Sequence, residues 1–304
     1  DYYSQRKPMI LVNKNSISFL LLFFFTFVTS MSSSLYSVPP SNAEIRVAFL
    51  GNSIIYFNDC PRLLEHMLQS RYSSVVQDSC LRGGASLPSL WKDGNGMRNK
   101  FGGSEQAKRE DGSLDFGAAT VQDLLAPNKN WNFVVMNDYT QAPARPENRL
   151  ASIEALEQFY GPLLQSNTPI LLQTAAYRRP TMGSDDLGTV PEFTAKLKEG
   201  YELYATTLKQ FSPDAKVAPV GDAFLHVHDT ATELWNKLFY IDDFHPSPHG
   251  TWLEACVLYC TMTGEAPPTF QSQWFETARY MQPNEHTCPL PSAEDAESLR
   301  QIAS

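Results

Sequence analysis

Apolar positions along this chain fall into two kinds of run, and the two kinds alternate. Five short stretches, at 47–50, 74–80, 131–136, 169–174 and 216–220, each carry a compact apolar core bounded by polar or glycine residues. That length and density predict buried strands. Between them the apolar spacing lengthens to three or four residues. Leu63, Leu64, Met67 and Leu68 mark a helix with Asp59 or Cys60 as its cap and Pro61 in its first turn, where a missing N–H costs little. A second helix is predicted over 150–164, with Ile153, Leu156, Phe159 and Tyr160 on one face and Pro162 near its end. A third, over 191–211, repeats Phe193, Leu197, Tyr201, Tyr204, Leu208 and Phe211, the stripe of a helix lying on a sheet. Shorter helices follow at 222–229 and 233–239, and the last is predicted over 251–263. Strand and helix alternate without internal repeats, so the expected class is α/β, a doubly wound and mostly parallel five-stranded sheet.

Three segments stand outside that alternation. Residues 17–28 form the most apolar run in the chain, preceded by Lys14 and followed by Ser30, Ser32, Ser33 and Ser34. This is the layout of a secretory signal peptide, and the run is shorter than the roughly 20 residues a membrane span requires. An uncleaved signal anchor and a translated region upstream of a true start at Met31 are the alternatives. The three readings place the protein in the secreted or endomembrane lumenal space, on a single-pass membrane anchor, or inside the cell. Only the anchor brings a membrane partner. Residues 1–37 are accordingly set apart from the domain, expected over 38–270, with 271–304 as a proline-rich C-terminal tail. Residues 93–116, rich in Gly, Asn and charge, read as a surface insertion placed to cover a site.

Composition narrows the chemistry. The chain has 304 residues, 42% of them hydrophobic, enough for a sizeable core. A net charge of −9 argues against a nucleic-acid partner, which requires a basic face. Five cysteines are too few for a disulfide framework at this size. In a secreted protein Cys60 and Cys80, each near the end of a strand, are placed at one sheet edge to bridge. His226 and His228 alternate around Val227 as a metal pair would, but have no third ligand nearby and read as surface or groove residues. No cysteine pair has zinc spacing supported by nearby histidines, and no cofactor is expected.

The polar residues that follow the strands carry the candidate chemistry. Ser53 follows strand one, Gly83 and Gly84 follow strand two, Asn137 follows strand three, and Asp242-Asp243-Phe244-His245-Pro246-Ser247 precedes the final predicted helix. Open α/β sheets bind ligands at this edge. A serine hydroxyl needs a base, and His245 has the side chain suited to that near neutrality. Asp242, three residues earlier, is placed to hold the imidazole in one tautomer, with Asp243 pointing elsewhere. The backbone N–H groups of Ser53 and Gly84 and the amide of Asn137 are the candidate oxyanion donors. His249 has no acid at matching spacing and reads as a helix-start or surface histidine. Asp138 is expected to bond the loop backbone. Trp91, Tyr139, Tyr177, Arg178 and Arg179 lie in loops expected to rim the site.

These blocks resemble those of the SGNH hydrolase superfamily, the GDSL-like esterases and lipases, named for Ser, Gly, Asn and His in successive blocks. Here they match Ser53, Gly84, Asn137 and His245, with Asp242 completing the triad, over roughly residues 45–264. The first block reads Gly-Asn-Ser, with Asn52 where many members have Asp. The resemblance implies a flavodoxin-like three-layer α/β/α sandwich and a metal-free serine esterase that acts on small or glycan esters through an acyl-enzyme. Transfer of the acyl group to a sugar hydroxyl is one alternative; a non-catalytic carbohydrate-binding protein on the same fold is the other.

Overall fold

The structure is a computed structural model that describes residues 43–97, 117–275 and 288–304. Five strands, β1 (Glu44–Gly51), β2 (Ser74–Leu81), β3 (Phe133–Met136), β4 (Thr168–Leu172) and β5 (Lys216–Ala218), form one sheet. Their spatial order is β2-β1-β3-β4-β5, and every pairing is parallel. The chain winds outward from β1 to β2, then returns past β1 to continue through β3. Connections therefore leave β1 and β3 toward opposite faces, and a crevice opens at their carboxyl ends.

The helices among the described residues are α1 (Ser53–Tyr56), α2 (Cys60–Gln69), α3 (Leu87–Asp93), α4 (Val121–Leu124), α5 (Pro146–Ala155), α6 (Val190–Leu208), α7 (Val220–Thr230), α8 (Thr232–Lys237), α9 (Pro248–Thr263) and α10 (Ala293–Ala303). Successive strand residues point to opposite faces, and β1 divides its side chains accordingly. Val47 and Phe49 join Leu64 of α2, Phe224 of α7 and Leu253 of α9 in one core. Ala48 and Leu50 join Leu90 of α3, Leu124 of α4 and Tyr204 of α6 in the other. The result is the expected three-layer α/β/α sandwich, with its sheet wholly rather than mostly parallel.

Local departures from the expected elements have local causes. The helix predicted at 150–164 begins at Pro146, and past Ala155 it widens into a π turn, Leu156–Tyr160, then tightens into a 3₁₀ turn, Gly161–Leu163. Pro162 has no N–H to continue an α ladder. The fifth strand stops at Ala218 because Val220 already opens α7. The segment beyond residue 271 is more than a tail, since it carries α10. Ser292 caps that helix, Ala296 and Leu299 are buried, and Trp252 Nε1 of α9 donates to Ala296 O at 2.9 Å. His249 is a helix-start residue but not a surface one. It is buried, with Nε2 3.2 Å from Asp295 Oδ2, and burial lowers its pKa.

The cysteine expectation is overturned. Cys60 and Cys80 are both free thiols. Cys60 belongs to the core on one face of the sheet and Cys80 to the core on the other, so the sheet separates them. Residues 1–37 and 98–116, on which the signal segment and most of the insertion fall, lie outside the described residues. Among the described residues no helix is long and apolar enough to cross a membrane, and no cluster of His, Cys, Asp and Glu is arranged to hold a metal ion.

One buried carboxyl gives the fold a pH dependence. Glu254 is enclosed in α9, its Oε2 has no hydrogen-bond partner among the described residues, and burial pushes its pKa well above the ordinary 4.5. A carboxyl that holds its proton more tightly when folded contributes its full stability below the unfolded value, and that contribution is lost as pH rises toward the folded value. Glu254→Gln should therefore raise stability at pH 8 by about 1–3 kcal/mol and change it little near pH 4.5, as read from urea midpoints. Equal shifts at the two pH values would contradict this account.

Candidate active site

The site begins where β1 stops. Gly51 has φ 149, and a Cβ there would lie 1.8 Å from Asn137 Oδ1, so only glycine fits. Asn52 follows in extended conformation and caps α1, its Oδ1 accepting from Ile54 N at 3.1 Å. Its own N–H donates to Asn137 Oδ1 at 3.1 Å, and Asn137 Nδ2 donates back to Asn52 Oδ1 at 2.9 Å. Asn52 Nδ2 donates to Ala85 O at 2.9 Å and Asp138 O at 3.0 Å. One buried side chain thus ties together the loops after β1, β2 and β3. Ser53 is the first residue of α1, where a helix N–H has no partner within the helix.

Asp138 supports this junction from below. It is fully buried and accepts from Leu87 N at 2.9 Å, Tyr139 N at 2.8 Å and the Tyr204 hydroxyl at 2.8 Å. Burial raises its pKa against these bonds. The expected loop-backbone role is present, extended by a tyrosine from α6.

Asp242 and His245 come from the turn between α8 and α9. Asp242 Oδ1 accepts from the backbone N–H of Phe244 at 3.2 Å and of His245 at 3.0 Å, which closes the turn. Its Oδ2 lies 2.7 Å from His245 Nδ1. Partial burial raises the Asp242 pKa, but the bonds from His245 outweigh it and the net direction is down. An ionised Asp242 places the proton on Nδ1, which leaves Nε2 as the nitrogen free to accept one. Ser247 then caps α9, with Oγ accepting from His249 N at 3.1 Å and Gly250 N at 3.3 Å.

The residues just after Ser53 reach across to that turn. The Phe57 ring stacks on the His245 imidazole with centroids 3.8 Å apart and planes at 2°. Asn58, buried and at φ 49, donates from Nδ2 to Pro246 O at 2.8 Å and Thr251 Oγ1 at 2.9 Å. Ser53 and His245 thus share a frame although Asn58 and Pro246 are 188 residues apart in sequence.

Ser53, Gly84, Asp242 and His245 line one cleft of about 390 Å³, a size that suits a small ligand. Tyr139, Gln141, Tyr177 and Arg179 line it as well. The other rim candidates lie elsewhere. Trp91 stacks on Phe159 with centroids 5.0 Å apart, and Arg178 contacts Asp243 and Asn236. Asn137 is buried away from the cleft, its amide protons placed on Asn52 Oδ1 and, at 3.1 Å, on Asp138 O. The Ser53 hydroxyl meets the phenol of Tyr56, whose pKa is raised by burial and lowered in part by that contact. Tyr56, Phe57, Asn58 and Gln141 escaped the sequence reading. Only Asn58 left a trace, in the polar Asn58-Asp59 pair ahead of Cys60 and Pro61.

The architecture has counterparts among solved structures. A DUF4886 family protein from Bacteroides uniformis ATCC 8492 superposes with a TM-score of 0.59 at 14% identity, covering 86% of this chain and 93% of that one. At that identity the likeness speaks for the three-layer fold alone. A gut microbial diltiazem-metabolizing enzyme matches more loosely, with TM-score 0.43, 15% identity and coverage of 73% of this chain and 48% of that one. Phospholipase A1 from Streptomyces albidoflavus NA297 gives 0.36 at 12% identity over 74% of this chain and 100% of that one. These two likenesses are too loose to bear on chemistry. No family model matches the sequence, and no curated protein matches it.

Gly51 is the position with least freedom here. Gly51→Ala should cost about 3 kcal/mol or more, because its Cβ displaces Asn137 from Asn52. A urea titration measures it, and an unchanged midpoint would contradict the junction described above.

Proposed function

We propose that this chain is a serine esterase of the SGNH type, hydrolysing carboxylic esters through an acyl-enzyme, with short acyl groups on carbohydrates as its substrate class. The observation that carries this reading is the Asp242–His245 pair facing the same cleft as Ser53 at the switch point of the sheet. A binding module on this fold has no use for an imidazole held in one tautomer by an ionised acid.

The sequence of events follows from those groups. Ser53 Oγ attacks the ester carbonyl carbon while His245 Nε2 takes the hydroxyl proton. Asp242 stabilises the imidazolium that forms. The carbonyl oxygen gains negative charge, which the N–H groups of Ser53 and Gly84 receive; Gly84, at φ 66, turns its backbone into the cleft. Collapse expels the alcohol, protonated by His245. Water then repeats the attack on the acyl-enzyme and releases the acid. In this scheme Asn137 serves by holding the turn under Ser53, since its amide protons are engaged there.

The test is release of p-nitrophenol from the acetate and octanoate esters by protein starting at Val38, beside Ser53→Ala. The variant should lose about a thousandfold or more in kcat, with its circular dichroism unchanged, and acetate should be the better substrate. Equal activity in both proteins would overturn the nucleophile, and a preference for octanoate would overturn the short-acyl class.

A further inference from the structure

Asp243 lies between the acid and the base of the candidate triad and takes no part in their bond. Its backbone is left-handed, at φ 70, a conformation that costs a residue other than glycine of the order of 1 kcal/mol. It is also only 5% exposed, an unusual place for a carboxylate without a strong partner. It has two partners. Arg178 and Arg179 bind its two carboxylate oxygens, Arg178 on Oδ1 and Arg179 on Oδ2, the latter with Nε at 2.6 Å. The backbone closes the same contact, with Arg178 N donating to Asp243 O at 2.8 Å and Asp243 N donating to Tyr240 O at 3.1 Å. Arg178 reaches on to Asn236 O at 3.2 Å. The loop after β4 is therefore fastened to the turn that carries Asp242 and His245, and Arg179 extends from that fastening to line the cleft.

We infer that Asp243 is a positioning residue: its ion pairs with Arg178 and Arg179 lock the acid–base turn against the loop after β4, holding His245 in register with Ser53. The role rests on the esterase reading for its consequence in catalysis, but the lock itself does not. A backbone-only explanation makes the opposite prediction. If Asp243 were present merely to tolerate a left-handed turn, glycine would serve as well or better. Misplacing a catalytic group by about 1 Å costs on the order of a hundredfold in rate, so a loosened turn should appear in kcat before KM.

The experiment compares wild type, Asp243→Gly, Arg178→Gln and the double variant by ester hydrolysis and by hydrogen exchange of the amides in residues 177–188 and 239–247. The lock predicts that Asp243→Gly lowers kcat at least about tenfold, with KM within about twofold. Arg178→Gln should act in the same direction, and the double variant should be no worse than Asp243→Gly alone. Amide exchange should rise in both loops together. Full activity in Asp243→Gly, strictly additive losses, or unchanged exchange would overturn the lock. If the wild type hydrolyses no ester, the esterase reading fails by itself, and exchange still decides whether the two loops are fastened through Asp243.

Discussion

The pair of hydrogen bonds that joins Asn52, through its side chain and its main-chain N–H, to the Asn137 amide is the contact on which the site depends. Asn137 Nδ2 donates to Asn52 Oδ1 and Asn137 Oδ1 accepts from the Asn52 backbone N–H, across the gap between β1 and β3, the point where the sheet reverses its winding. Asn52 then uses its own amide protons on Ala85 O and Asp138 O. A carboxylate at position 52 has only acceptors and would remove the Asn52 donor from Ala85 O and one of the two amide donors to Asp138 O. Asparagine at position 52 is therefore fixed by the hydrogen bonds it must give as well as accept. Gly51 is the counterpart on the main chain, since any Cβ there would occupy the space of Asn137 Oδ1. The strand end, the turn and the first residue of α1 form one constrained unit, and Ser53 inherits its position from it.

The second half of the site is assembled from a turn distant in sequence, and its placement depends on short polar and aromatic contacts rather than on the sheet. Phe57 and Asn58 extend the Ser53 turn to His245 and Pro246. Asp242 folds the turn onto itself, Asp243 fastens it to the arginines after β4, and Ser247 starts α9. Helix α9 is buried along almost its whole length and is covered by α10, so the turn sits on a rigid base. The proposed role of His245 requires such fixing from several sides, because the reach of an imidazole to a nucleophile tolerates little error.

Much of this was legible in the sequence because it rests on local signals. Strand-length apolar runs and a proline behind a capping Asp59 placed the sheet and its helices, and Ser53, Gly84, Asp242 and His245, singled out at the ends of elements, line one cleft. What escaped has a common character. The stack of Phe57 on His245, the bonds from Asn58 to Pro246 and Thr251, and the burial of Asp243 between two arginines are contacts between remote segments, with no periodicity to announce them. Helix α10 was hidden by the prolines before it, although Ser292, Ala296 and Leu299 carry a helical signature. The Cys60–Cys80 expectation failed on a question of side-chain direction: the two thiols occupy opposite faces of the sheet. Asn137 was expected to offer its amide to substrate, whereas the amide is engaged beneath the turn.

The central claim is that Ser53 is a nucleophile activated by His245. Intact-mass and peptide-level analysis after brief exposure to a fluorophosphonate tests it without knowledge of the substrate. The account predicts one adduct per chain, located on Ser53 and formed far more slowly in His245→Ala. No adduct, or labelling of Ser53 at the same rate with and without His245, would contradict it.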